Sequence, residues 1–313
     1  MQRLVSDAHG VLSVEEAVPT SEVVDATFRQ RIAAYVALTK PRIIELLLVT
    51  TVPSMVLAAG GWPSTWLVIA TLIGGTLSAG GANAINCFID RDIDAVMPRT
   101  KRRPLPMHRI EPRNALIFGI VLGTIALAFL WTVVNPMAAV ISTSALLFYV
   151  LIYTWVMKRA TPQNIVIGGA AGAMPVLVGW SAVTGTIDLP ALAMFGIIFY
   201  WTPPHFWALA MRYEKEYAAA GVPMMPVVYG KEETTKHILL YSFMQLALCL
   251  ALFSVARMGM LYLASALTLN AVFIAGAVKL YRAPSAKKAW ELFRFSIYFL
   301  ALLFAAIALD VLI

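Results

Sequence analysis

Apolar residues in this chain come in long runs, not on alternating faces. Nine stretches, at roughly 43–60, 66–88, 114–134, 137–157, 164–184, 189–211, 237–256, 259–279 and 294–313, each approach the roughly 20 residues that a helix needs to cross a bilayer. Their connections differ in kind. Gly61 to Ser64 and Asn135 to Pro136 barely turn the chain, whereas the segments after the second and sixth stretches are long and charged. The pattern predicts an all-α, polytopic membrane protein of nine transmembrane helices, with its chemistry on the face that carries the long connections.

Composition agrees with this pattern and charge orients it. With 60% hydrophobic residues, 13% charged residues and a mean hydropathy of +0.78 over 313 residues, the chain is too apolar for a soluble domain of its length. Of its 24 Lys and Arg residues, all but Arg257 fall on the side shared by the N-terminus and the long connections. By the positive-inside rule that side is cytoplasmic and the C-terminus lies across the membrane, which here is expected to be a bacterial-type inner (plasma) membrane. The net charge of +7 then reports topology and affinity for anionic lipid or phosphate, with no case for nucleic acid. Residues 1–35, mixing acids and small residues without an export signal, are expected to form a mobile cytoplasmic tail before a single transmembrane domain at 36–313. Cys87 and Cys249 fall inside apolar stretches and read as packing residues.

Asn86, Asp90 and Asp94 stand four residues apart where the second stretch meets its basic connection. On a helix each step of four turns by about 40°, so the three side chains form one stripe. Asp92 points away from it and reads as a partner for Arg or Lys. An acidic stripe that starts within an apolar stretch needs compensation. A divalent cation such as Mg2+, sharing its coordination with a substrate phosphate, supplies it, and Arg99, Lys101, Arg102 and Arg103 follow closely as phosphate partners.

Two further groups carry polar chemistry. After Pro203 and Pro204, which should kink the sixth stretch, His205, Arg212 and Glu216 fall within about 40° of one another if the segment is one helix. Nearby Tyr200, Trp201, Phe206 and Trp207 suit either an interfacial belt or the walls of a flat substrate. Thr39, Lys40, Pro41 and Arg42 precede Glu45, an acid one turn into the first stretch that needs a cation. Lys158 and Arg159 complete the cytoplasmic ring of positive charge, and Asp310 reads as an interfacial residue.

The segment from Asn83 to Pro106, with its Asn-x3-Asp-x3-Asp core, resembles the first motif of the membrane-embedded prenyltransferases related to 4-hydroxybenzoate polyprenyltransferase. Leu38-Thr-Lys-Pro-Arg42, Asp90-Arg-Asp-Ile-Asp94, Thr161-Pro-Gln-Asn164 with Gly168-Gly169, and His205-Phe-Trp-Ala-Leu-Ala210 closely resemble the haem-farnesylating branch of that superfamily. One departure is informative: Tyr213 and Tyr217 stand where aromatic-accepting members carry a second aspartate motif. The resemblance implies nine helices around a central cavity open to the cytoplasm and transfer of farnesyl from farnesyl diphosphate to a vinyl group of haem B. Addition of water then gives haem O for a terminal oxidase, with a haem A synthase or oxidase assembly as a partner. It implies Asn86, Asp90 and Asp94 as Mg2+ ligands, with Lys101 and Arg102 catalytic beside them. Substrate contacts would come from Asn83, Lys40, Arg42, Arg99, Arg103, Lys158, Arg159, His205, Arg212, Tyr213, Glu216 and Tyr217. Two alternatives stay open: a superfamily member acting on an aromatic acid or quinone precursor, and an ion-coupled transporter that uses Glu45, Asp90 and Asp94.

Overall fold

A computed structural model describes residues 27–313, except the side chains of residues 42–48. Its elements in order are α1 (Phe28–Thr39), α2 (Pro41–Ala59), α3 (Thr65–Ile89), α4 (Arg91–Val96), α5 (Pro112–Phe129), α6 (Pro136–Leu147), α7 (Lys158–Ala160), α8 (Asn164–Thr184), α9 (Leu189–Arg212), α10 (Glu214–Ala219), α11 (Met225–Val255), α12 (Met260–Arg282) and α13 (Ala286–Leu312). Two π-helical stretches, Leu130–Val134 and Phe148–Met157, continue α5 and join α6 to α7. Seven spans are long and apolar enough to cross a membrane among the described residues: α3, α5 with its π-helical end, α6 through α7, α8, α11, α12 and α13. With no water available to backbone groups in a bilayer, helices that satisfy themselves are the expected solution.

The helices α2 and α9 occupy the first and sixth predicted stretches. α9 runs unbroken through Pro203 and Pro204 and is buried along most of its length against α8, α11 and α13. A helix wrapped by protein can carry Thr202, the prolines and His205 where a lipid-facing one would not. The cysteines Cys87 and Cys249 are free and buried, as expected of packing residues.

The expected tail boundary at residue 35 is corrected. Thr27 and Gln30 form a reciprocal capping box, with Gln30 Oε1 accepting from the Thr27 backbone N–H at 2.9 Å, so α1 starts at Phe28. Ala34 and Leu38 then bury against Ala84 and Cys87 of α3. Residues 1–26 lie outside the described residues. Asp310 also does more than sit at an interface: its carboxylate accepts from the backbone N–H groups of Gly259 and Tyr262 at 2.6 and 2.9 Å, capping the start of α12.

Helices α3 and α5 approach at backbone contact, and this positions the acidic stripe. A Cβ on Gly81 would lie 2.7 Å from the Gly119 carbonyl oxygen and 2.9 Å from the Gly123 nitrogen. Backbone cannot give way as a flexible side chain can, and small residues are what allow such contacts in membranes. Gly81→Ala is therefore expected to force α5 away and destabilise the protein by about 1–3 kcal/mol, the range for overpacking. A thermal midpoint in detergent equal to wild type would contradict this packing.

Candidate active site

Two i→i+4 hydrogen bonds bridge the join between α3 and α4 at Asp90. The Asp90 N–H donates to Asn86 O at 2.9 Å and the Asp94 N–H to Asp90 O at 2.8 Å. Asn86, Asp90 and Asp94 thus keep a common face, and their exposures of 2%, 0% and 1% place them inside the protein. Buried carboxylates need partners. Asp94 receives Arg103 Nη1 on both oxygens, at 2.8 and 2.7 Å. Oδ2 of Asp90 accepts from Lys158 Nζ and, at 2.8 Å, from Asn86 Nδ2. Oδ1 of Asn86 accepts from Lys40 Nζ at 2.5 Å. Three cations from three distant parts of the chain therefore converge on one stripe. Asn83, one turn earlier, donates to the Thr39 carbonyl at 2.9 Å and holds the α1–α2 junction in place.

Asp92 is exposed and faces away, gripped by both Arg159 Nη atoms at 2.6 and 2.7 Å. That hydrogen-bonded fork holds its carboxyl down at about 2, below the usual 3.8. A lowered carboxyl stabilises the fold above its unfolded value and loses that contribution as pH falls from about 4 towards 2. The side chain is 60% exposed, so the effect is small. Asp92→Asn should flatten this part of the acid limb of the thermal-stability profile without moving the neutral-pH turnover.

The basic connection after α4 is a series of turns, and it sorts its cations. Arg103 points inward. The hydroxyl of Thr100 anchors the loop by donating to the Asp94 carbonyl at 2.9 Å. Lys101 and Arg102, expected beside the stripe, stand exposed on the loop's outer side. Arg99 reaches across to Tyr217, donating to its hydroxyl at 2.9 Å and stacking over the Tyr213 ring at 5.1 Å. The side chains of Arg42 and Glu45 lie outside the described residues.

The expected grouping of His205, Arg212 and Glu216 is corrected, because the helix breaks at Tyr213. Arg212 stacks on Trp290 at 4.7 Å. Glu216 belongs to α10 and leaves a buried Oε2 without a hydrogen bond among the described residues. His205 is buried deeper, its Nδ1 2.5 Å from Ser296 Oγ and its ring stacked 4.3 Å from Trp201.

A cavity of about 320 Å³ within the helical domain is lined by Asn83, one turn before Asn86, and by walls that include Tyr149, Tyr153, Trp201, His205 and Phe206. An apolar, aromatic chamber with a buried, charged cluster one helical turn beyond its wall suits a substrate with an anionic head and a hydrocarbon tail. The donor set also fits a hard divalent cation. It offers two carboxylates and one amide oxygen, and Asp90 Oδ1 is buried without a hydrogen bond, with Arg159 Nη2 4.0 Å away. Among the described residues no group of three or more His, Cys, Asp or Glu forms a closed cage. Such a set suits Mg2+ that takes its remaining ligands from water and phosphate.

Thr154, Tyr149 and Tyr153 were missed from the sequence. Thr154 stands four residues before Lys158, a spacing that marks a shared helical face, and it was the available signal. Trp290 and Ser296, which touch Arg212 and His205, gave none.

Residues 47–303 match the model of the UbiA prenyltransferase family. The chain is 53% identical over 296 residues to a protoheme IX farnesyltransferase of Parafrankia sp. (strain EAN1pec), covering 93% of each chain. It is 55% identical over 282 residues to protoheme IX farnesyltransferase 1 of Saccharopolyspora erythraea, covering 89% and 90%. Among solved structures, one from work on a digeranylgeranylglyceryl phosphate synthase matches with a TM-score of 0.75 at 17% identity, over 90% of this chain and 98% of that one. A UbiA homolog from Archaeoglobus fulgidus bound to GPP and Mg2+ matches with a TM-score of 0.63 at 19% identity, over 88% and 99%. By family match, relatives and fold, the chain belongs to the UbiA prenyltransferase family.

Proposed function

We propose that this chain transfers the farnesyl group of farnesyl diphosphate to a vinyl group of haem B, giving haem O after addition of water. The observation that carries the reading is the place of Asn83: it lines an apolar, aromatic chamber and stands one helical turn before Asn86, the first member of a buried acid–base cluster. Relatives about half identical along almost the whole chain supply the acceptor.

Asn86, Asp90 and Asp94 would hold Mg2+, which neutralises the diphosphate and weakens its bond to the allylic carbon. In the free protein Arg103 and Lys158 hold the carboxylates and Lys40 the Asn86 amide oxygen, and all three stand within reach of diphosphate oxygens entering at the stripe. Transferring them to the diphosphate stabilises the charge that develops as the C–O bond breaks. Tyr149, Tyr153 and Trp201 wall the chamber against water and offer ring faces to the allylic cation. The haem vinyl attacks C1 of the farnesyl cation through its terminal carbon. Water then adds at the vinyl's inner carbon and releases a proton, leaving a hydroxyethylfarnesyl substituent. His205 has Nδ1 tied to Ser296, which leaves Nε2 for haem iron. Arg99 and Arg212, both stacked on Tyr213, face the propionates.

The same reading takes all nine predicted stretches as crossing a bacterial-type inner membrane, with the stripe on the cytoplasmic side and the product passing to a haem A synthase or terminal oxidase assembly. Purified protein given farnesyl diphosphate and Mg2+ should release diphosphate with haem B as acceptor. Release with 4-hydroxybenzoate and none with haem B would overturn the assignment of acceptor.

A further inference from the structure

We propose that Thr154 is a positioning residue that keeps the Asn86 amide oxygen, not its nitrogen, turned towards the metal and diphosphate. The inference rests on the functional reading above. Thr154 is fully buried on the π-helical stretch Phe148–Met157, and π-helical segments often mark functional sites. Its hydroxyl has one proton, donated to the Tyr149 carbonyl five residues back at 2.8 Å. Towards Asn86 the same oxygen can only accept, and Asn86 Nδ2 donates to it at 3.1 Å. The amide is thereby told which end is nitrogen.

Two other contacts give the same instruction in the free protein. Lys40 can only donate, so it selects Oδ1, and Asp90 can only accept, so it selects Nδ2. Both are groups that the reaction recruits: Asp90 for the cation and Lys40 for the diphosphate. Once they turn to substrate, Thr154 is the remaining described partner that holds the amide. An unconstrained amide would present an N–H end to the cation in part of the population, and the cation would bind more weakly. The Thr154 contribution therefore appears in the loaded state and is nearly silent in the free one.

The test uses the full chain in detergent with Mn2+ and inorganic diphosphate, reading bound Mn2+ by electron paramagnetic resonance. Thr154→Val removes the hydroxyl and keeps the volume. Its Mn2+ affinity should fall roughly three- to tenfold, the size of one neutral hydrogen bond, while Thr154→Ser binds as wild type. In an Asn86→Asp background, where both ends of the side chain are oxygen, Thr154→Val should no longer change Mn2+ affinity. If Thr154→Val does not yield folded protein, Thr154→Ala carries the same expectation. Wild-type affinity in either variant without the hydroxyl, or an undiminished loss in the Asn86→Asp background, would overturn the proposal. Wild-type protein that binds no Mn2+ would instead overturn the metal-dependent reading, and this inference with it.

Discussion

Asp90→Asn is expected to lower diphosphate release about a thousandfold, towards the upper end of what one preorganised electrostatic contact supplies to a transition state. The substitution preserves shape and removes the charge that draws the cation. It also strands the Lys158 ammonium, which is left facing a neutral amide in a site with little water, so stability should fall together with turnover. Lys158→Met in the same chain removes the stranded charge. It should restore part of the stability but none of the turnover, because the missing carboxylate is what the metal requires. Near-normal diphosphate release by Asp90→Asn, with divalent-metal binding unaltered, would remove Asp90 from the chemistry.

Arg103→Met should have the second largest effect, and it separates the resting role of the bases from their working role. Asp94 is almost fully buried and takes both its side-chain hydrogen bonds from Arg103. Breaking a buried pair from one side typically costs about 3–5 kcal/mol. Arg103 is one-third exposed, so a loss nearer 3 kcal/mol is expected in metal-free buffer. Mg2+ with diphosphate should recover much of it, because a ligand that binds only the folded state stabilises it by mass action, about 2.7 kcal/mol at a hundredfold excess over its Kd. The recovery should exceed the stabilisation that the same ligands give wild type. Equal metal-induced shifts in thermal midpoint for both proteins would show that Arg103 does not stand in for the metal's charge at Asp94.

The stripe was legible because the rule behind it is local. Steps of four along a helix share a face, and the i→i+4 bonding carries through Asp90 even though α3 formally ends one residue earlier. Asp92 was legible for the same reason. The apolar runs located the membrane helices, since length and apolarity are what a bilayer selects for. Which cation meets which acid was not legible. Residues 97–111 form turns with no period, so nothing in their spacing shows that Arg103 points inward while Lys101 and Arg102 point out. The break at Tyr213 hid in the same way: it divides a run with acceptable helix formers, and it scattered a grouping that assumed one helix. The π-helical stretch was the deepest omission, because its sequence reads as an ordinary apolar span. Only tertiary packing shows Thr154 bonded to Tyr149 and Asn86 together.

The central claim is that the acid–base stripe and the aromatic chamber farnesylate haem. Purified protein incubated with farnesyl diphosphate, Mg2+ and haem B, followed by mass spectrometry of the extracted haem, tests it most directly. The predicted product is haem heavier by one farnesyl group and one hydroxyl, absent with Asp90→Asn. Unmodified haem recovered beside consumed farnesyl diphosphate would contradict the account.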